Sequence, residues 1–568
     1  MTYSIPGHVH KKMAVLLVAP ETGRLPDEMG PLAQYISGKS GGLGEVISAL
    51  CEGLTQRGIE CHLATLNLSR RFQRENGFND DQWNRIIGTI DPARIHLVSS
   101  AVFENLPDAY SGNPVQNAAE FQRTMVNQII PRIRARNGGR LMIHSHDWMA
   151  GGIITAYAKM RGCPVLHTLH NVHTGHIPRD LLFGVDTGRL SDYLYCSEDQ
   201  GKAAIDSQAT AIKNASLVNF VGSRFLEEIV DGHFADHPIL SASVRHEVRV
   251  KHRFGATRAI LNAPSANMYP EQNGNLIRRY GPSDDVIAAK RENLVEFQRR
   301  TGLAVDPEKI LLFWPSRLDP SQKGIELLEE IAHKFVIAHK DAQIAIVGNG
   351  VGNDRTHEEI CGRIACSSGG RIAYQRFDES LSMLGFAAAS DVFGASLYEP
   401  CGQIDQVGNL FGATATNRDT GGYHDKIREL TLREEGAPAD LGNGFLFRDY
   451  DAGGLWYGLA RSVQFHRHSP ETRERHLKRI MKEAREKYHP ERMIESYIAA
   501  YETLSGGVPL RIAEPLRGGE SPLPHGEYRH SPRTPLPAPA GWKSVWRNWG
   551  RAHRSIPPKW FKPAFGAS

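Results

Sequence analysis

The sequence predicts an α/β protein built from two doubly wound parallel-sheet halves, and three observations predict it. Short apolar runs alternate with helical patterns, the alternation restarts after residue 282, and the chemically loaded segments follow apolar runs directly, where strands of such sheets end. In the first half the runs are residues 13–19, 61–66, 141–144, 165–169, 217–221 and 258–261. In the second they are 310–314, 343–347, 371–374 and 391–393, with helical segments at 324–339 and 380–389. Residues 262–282 are rich in Asn, Pro and Gly, lack periodicity and read as the connection. Two similar lobes should face one another across a cleft, a favoured place for ligands.

A chain of 568 residues is too long for one core. We divide it into a Rossmann-like half over 1–270, a second over 283–488, a closing helix over 489–504 and a Pro-rich basic tail over 505–568. The helix is marked by Met493, Ile494, Tyr497, Ile498 and Tyr501. The tail holds eleven of the 32 prolines and ten Lys plus Arg against three Glu, so it carries +7 and leaves −3 on the rest of a chain whose total is +4. That composition predicts disorder. Its Trp542, Trp546, Trp549 and Trp560, interleaved with basic residues, read as an amphipathic helix docking on the body in preference to a platform for sugars or single-stranded nucleic acid. The small total charge calls for neither nucleic acid nor an acidic membrane surface. Seven scattered cysteines without a C-x-x-C pair fit a reducing, cytoplasmic setting. Lys11-Lys12 and the apolar run behind them imitate a signal peptide, but the run is short and no small-residue cleavage site follows. No run approaches a membrane span.

The first loaded segment is Lys39-Ser40-Gly41-Gly42-Leu43-Gly44, which follows the first strand and opens a helix with Val46, Ile47, Leu50 and Leu54 on one face. Glycines let the backbone approach a ligand, the free amides of a helix start attract an anion, and Lys39 adds charge. Two familiar phosphate loops are excluded. Gly38-Lys39-Ser40 lacks the first glycine of a nucleotide-hydrolysing loop, where Ala33 stands, and Gly348, Gly350 and Gly352 miss the third position of the dinucleotide fingerprint. Next, Asp147 and His170-Asn171 each follow a strand, while His144 and His146 alternate into the sheet. His167, His170, His173 and His176 recur every third residue, but strand and breaker residues deny them a common helical face, so we predict no metal site. In the second half Arg317 offers a planar fork and Lys323 a point charge, a pairing suited to a diphosphate leaving group. The turn Glu399-Pro400-Cys401-Gly402 then leads into a helix whose first amides face an anion or sugar hydroxyls.

Taken in order, Lys39-Ser-Gly-Gly-Leu, His146-Asp147-Trp148, His170-Asn171, Ser316-Arg317-Leu with Gln322-Lys323-Gly324, Glu399-Pro400-Cys401-Gly402, Thr420-Gly421-Gly422 and Asn443-Gly444-Phe445 resemble the motifs of bacterial glycogen synthases and plant starch synthases. The resemblance covers residues 13–504. It implies a GT-B glycosyltransferase of two Rossmann-like domains facing a central cleft, which transfers glucose from ADP-glucose to the 4-hydroxyl of an α-1,4-glucan with retention and without a cofactor or metal. It also implies that Arg317 and Lys323 hold the diphosphate, and that Lys39, Gly41 and Gly42 approach the donor from the other lobe. His170 would stand by the glucosyl group, Asp147 would help place sugar or acceptor, and Glu399 with the amides near Cys401 and Gly402 would bind glucose hydroxyls. Asn171 and Asn262 would lie near sugar.

The sequence departs from that family at two places. One extra residue separates Arg317 from Lys323, and Gln403-Ile404-Asp405 replaces the usual Leu-Thr-Gln, removing a hydroxyl and adding a carboxylate. Two alternatives follow: a UDP-sugar transferase, against which Val407 stands where many of those carry a second glutamate, and a non-catalytic glucan-binding homologue, against which the full set of basic and acidic site residues counts.

Overall fold

The computed structural model describes residues 12–38, 41–199, 201–234, 239–265, 268–352, 354–430 and 441–510. Lys39, and the tail from 511 with its tryptophans, lie outside the described residues. The first lobe is a seven-stranded sheet of β1 (Ala14–Val18), β2 (Cys61–Leu66), β3 (Ile95–Val98), β4 (Leu141–His146), β5 (Val165–Leu169), β9 (Leu217–Phe220) and β10 (Thr257–Ala259). A small antiparallel sheet of β6 (His176–Pro178), β7 (Cys196–Asp199) and β8 (Lys202–Asp206) is inserted between β5 and β9. The second lobe carries β11 (Ile310–Trp314), β12 (Ala342–Val347), β13 (Ile372–Gln375), β14 (Asp391–Gly394), β15 (Thr414–Arg418) and β16 (Gly444–Phe447).

Both large sheets are parallel throughout, with orders β10-β9-β5-β4-β1-β2-β3 and β13-β12-β11-β14-β15-β16. Each order reverses direction once, between β1 and β4 and between β11 and β14, and a crevice forms outside the strand ends at such a point. The strands β1 and β11, Ala14-Val15-Leu16-Leu17-Val18 and Ile310-Leu311-Leu312-Phe313-Trp314, are apolar and fully buried, because helices cover both faces.

The strand runs expected from hydropathy are all present, with boundaries that differ by at most two residues. β4 runs two residues further than expected, to His146, so His144 and His146 both lie in the sheet and their rings approach to 4.0 Å. The last helix, Pro490–Leu504, returns to the first lobe: Met493, Ile494, Tyr497, Ala500 and Tyr501 join its core. The Tyr501 hydroxyl lies 2.8 Å from His144 Nδ1, and Asn219 donates to the Tyr497 hydroxyl at 3.0 Å. Residues 505–510 continue beside the first strand, where the Met13 amide donates to the Pro509 carbonyl at 3.1 Å. Among the described residues no helix is long and apolar enough to cross a membrane.

Candidate active site at the interlobe crevice

Of the described site residues, Gly41, Gly42 and Asp147 follow β1 and β4, and Arg317, Lys323, Glu399, Cys401 and Gly402 follow β11 and β14, at the two reversal points; His170 and Asn171 follow β5, and Asn262 follows the edge strand β10. On the first lobe the chain leaves β1 through Ala19-Pro20-Glu21 and returns to the helix Gly42–Gln56. The Gly41 amide donates to Glu21 Oε2 at 2.9 Å, so a buried carboxylate stands at the start of that helix. Tyr110 donates to the other Glu21 oxygen at 3.3 Å. A Cβ on Gly42 would lie 2.9 Å from Gln403 Oε1 of the second lobe. The glycine loop thus touches the opposite lobe through the end of the Gln403 side chain, which a larger residue at Gly42 would displace.

Asp147 follows β4 with φ 54° and ψ −179°, one of two non-glycine residues with positive φ among the described residues. Such a backbone costs about 1–3 kcal/mol and survives only when its surroundings hold it. Here the holding contacts are visible. Asp147 Oδ1 accepts from the His170 amide at 2.7 Å and the Asn171 amide at 3.1 Å, tying the end of β4 to the turn after β5. Burial pushes the Asp147 pKa up to about 7, the two amides oppose this, and Glu21 adds to it. Its first task is therefore to shape the His170-Asn171 turn. The His170 ring lies 3.0 Å from His146 Nδ1, through its Nε2, and its Nδ1 has no partner among the described residues. Burial lowers its pKa to about 3, so the imidazole is neutral. The four evenly spaced histidines do not converge: His167 meets Ser145, His170 meets His146, His173 meets Tyr398 and His176 meets Ser197.

On the second lobe the extra residue between Arg317 and Lys323 is absorbed by a turn. Asp319 Oδ1 accepts from the Ser321 amide at 2.9 Å and its carbonyl accepts from the Lys323 amide at 2.7 Å. Lys323 Nζ reaches Glu399 Oε2 at 2.6 Å, and Ser396 Oγ donates to the same oxygen at 2.9 Å. Burial alone would raise the Glu399 pKa; Lys323 and Ser396 outweigh it and hold the carboxyl below its ordinary range. Arg317 contacts the Gln322 side-chain oxygen at 3.2 Å and Asp319 at 3.8 Å, and its side chain is 56% exposed. It is the more available cation of the two. Gly421 and Gly422 let the next turn lie on the Glu399–Gly402 backbone, and the Gly422 amide donates to the Glu399 carbonyl at 2.9 Å. Burial pushes the Cys401 thiol up to about 11, so it is protonated and a poor nucleophile.

The lobes meet around this crevice. Tyr398, next to Glu399, donates to Asn171 Oδ1 at 3.4 Å and lies 3.2 Å from His173 Nε2. Gln406 donates to the Asn262 carbonyl at 2.9 Å, while buried Asn262 Oδ1 has no partner among the described residues. Further out, Glu228 accepts from Thr420 and Gly421, and Asp425 accepts from Ser223. A cavity of about 470 Å³ lined by Leu97, Asn127, Arg132 and Phe183, among others, involves none of these residues.

The model of the starch synthase catalytic domain matches residues 25–240. Among curated proteins the chain is 24% identical over 463 residues to the glycogen synthase of Exiguobacterium sibiricum, covering 76% of this chain and 90% of that protein. It is 25% identical over 487 residues to the glycogen synthase of Moorella thermoacetica, covering 81% and 91%. The chain is similar to glycogen and starch synthases over most of its length. Among solved structures, the catalytic domain of starch synthase IV from Arabidopsis thaliana, bound to ADP and acarbose, superposes with TM-score 0.67 at 19% identity, over 87% of this chain and 99% of that one. That likeness bears on the fold and agrees with two Rossmann-like lobes in the GT-B arrangement.

Three residues of this site, Glu21, Tyr110 and Lys426, are not among those expected from the sequence. Glu21 was findable, because it stands just past the end of β1 beside the reversal point. Tyr110 and Lys426, whose buried ammonium donates to the Gly402 carbonyl, were not, because nothing near them in sequence marks the contacts they make.

Proposed function

We propose that this chain is a retaining glucosyltransferase that moves glucose from ADP-glucose to the non-reducing 4-hydroxyl of an α-1,4-glucan in the cytoplasm. The half over 283–488 holds the nucleotide sugar and the half over 1–270 the acceptor. One observation carries the reading: groups of both lobes meet on either side of Glu399, with Asn171 against Tyr398 and Gly42 against Gln403. The glycogen synthase names of the relatives support the same reaction.

In this reading the departing diphosphate takes the electron pair of the sugar C1–O bond, and Arg317 and Lys323 meet the charge that builds on it. Fixed cations in a partly dry site need no reorganisation at that moment. Ionised Glu399 accepts from glucose hydroxyls, and Asp147 keeps the His170-Asn171 turn against the sugar. The neutral ring of His170 suits an oxocarbenium-like transition state, which a charged imidazolium would repel. Lys323 shares its charge between Glu399 and phosphate, so Arg317 carries more of the initial donor contact.

The test is a donor panel. Radiolabelled ADP-glucose and UDP-glucose are offered with glycogen, and label in washed polymer is counted. We expect label from ADP-glucose. Label from UDP-glucose alone would overturn the donor, and none from either would favour a glucan-binding homologue without activity.

A further inference from the structure

The carboxylate added at Asp405 does not face the crevice as an uncompensated charge. Its Oδ1 lies 2.7 Å from Lys426 Nζ, and both side chains are 0% exposed. Lys426 closes the short helix Gly421–Lys426, and its ammonium also donates to the Gly402 carbonyl. Gly402 has φ +68°, and any Cβ there would lie 2.4 Å from the Tyr423 ring. The Glu399–Gly402 turn is therefore pinned twice, by the Gly422 amide at the Glu399 carbonyl and by Lys426 at the Gly402 carbonyl.

Stability does not account for this pair. Burying two charges costs more than an apolar pair of similar size in many proteins. Here Asp405 Oδ2 finds no hydrogen-bond partner among the described residues, which adds a further penalty. What the pair does supply is a fixed donor at the far end of the turn that carries Glu399. We propose that Lys426, with Asp405 as its counter-ion, is a positioning residue that holds the Glu399–Gly402 turn against the glucosyl group. The proposal rests on the glucosyl-transfer reading. It explains why Gln403-Ile404-Asp405 can replace the family's usual residues: the new carboxylate is neutralised internally by a lysine twenty-one positions later, leaving the donor side without an added negative charge.

Two paired substitutions test it, since removing either partner alone would strand a buried charge. Lys426→Met with Asp405→Leu removes the charges and the donor to Gly402. Lys426→Gln with Asp405→Asn removes the charges but keeps an amide donor. We expect the first to retain its melting temperature and lose kcat by about 10- to 100-fold, the scale of a displaced site group, with KM for the glucan unchanged. The second should recover kcat to within about threefold of the parent, the rescue expected of a hydrogen-bond anchor. A Met/Leu protein with the parent's kcat would overturn the proposal, and so would equal losses in both. Should the Met/Leu protein not fold, the Gln/Asn protein decides alone, and a tenfold or greater loss of kcat there overturns it. A parent protein that transfers no glucose from any nucleotide sugar defeats the functional reading itself, a result distinct from an active parent with an indifferent Met/Leu variant.

Discussion

Lys323→Ala is expected to lower kcat by roughly two to three orders of magnitude, since one charged donor to a developing anion contributes about 3 kcal/mol. The Lys323 side chain is only 14% exposed and its ammonium is already fixed at 2.6 Å from Glu399, so it needs little reorganisation when the diphosphate departs. The same substitution has a second effect with a defined sign. Lys323 is the largest influence holding the Glu399 pKa down against burial, so its removal raises that pKa. Rates that require ionised Glu399 then fall off at a higher pH, and the acidic limb of the rate profile moves upward. Initial rates with ADP-glucose across pH check both effects. An unchanged kcat would remove Lys323 from the site.

Gly422→Ala should be about as damaging for a steric reason. A Cβ at Gly422 would stand 1.8 Å from the Cys401 carbonyl oxygen and 2.4 Å from its carbon. Neither atom belongs to a flexible side chain, so the Glu399–Gly402 turn must move. A displacement near 1 Å in a group that orients substrate costs about 100-fold in rate, and overpacking of this kind costs about 1–3 kcal/mol of stability. Gly88→Ala is the matched control: Gly88 sits in the helix Asp80–Thr89 and a Cβ there meets nothing within 4 Å. It should leave kcat unchanged and keep or slightly raise the melting temperature, since alanine favours a helix over glycine, whereas equal tolerance at Gly422 would mean that the turn is not held where Glu399 needs it.

The large architecture was legible because buried parallel strands are apolar runs, as at residues 165–169 and 310–314, and because functional side chains follow those runs directly. Strands that break the pattern were not legible. β15 reads Thr-Ala-Thr-Asn-Arg, yet Thr414 and Thr416 are wholly buried because their hydroxyls donate to Asp391, at 3.0 Å in the case of Thr416. Hydropathy cannot see a polar side chain whose partner is supplied by another strand. The same limit hid the inserted sheet β6 to β8, whose β7 is partly exposed and polar. In the site, the types Arg317, Lys323, Glu399 and His170 announced their chemistry, but their pairings did not. The Lys323–Glu399 contact spans 76 positions and the Asp405–Lys426 contact 21. The periodicity of Pro490–Leu504 revealed a helix without revealing that Tyr497 and Tyr501 return to the first lobe. Asp147 was expected beside the sugar; its contacts give it the prior task of holding two backbone amides.

The central claim is that both lobes hold one ligand between them, and backbone amide exchange with and without ADP-glucose tests it most directly. Binding should slow exchange together at residues 42–50, where the helix behind the glycine loop begins, and at residues 317–324, which carry Arg317 and Lys323. Protection confined to one of these segments at saturating donor would contradict a shared crevice.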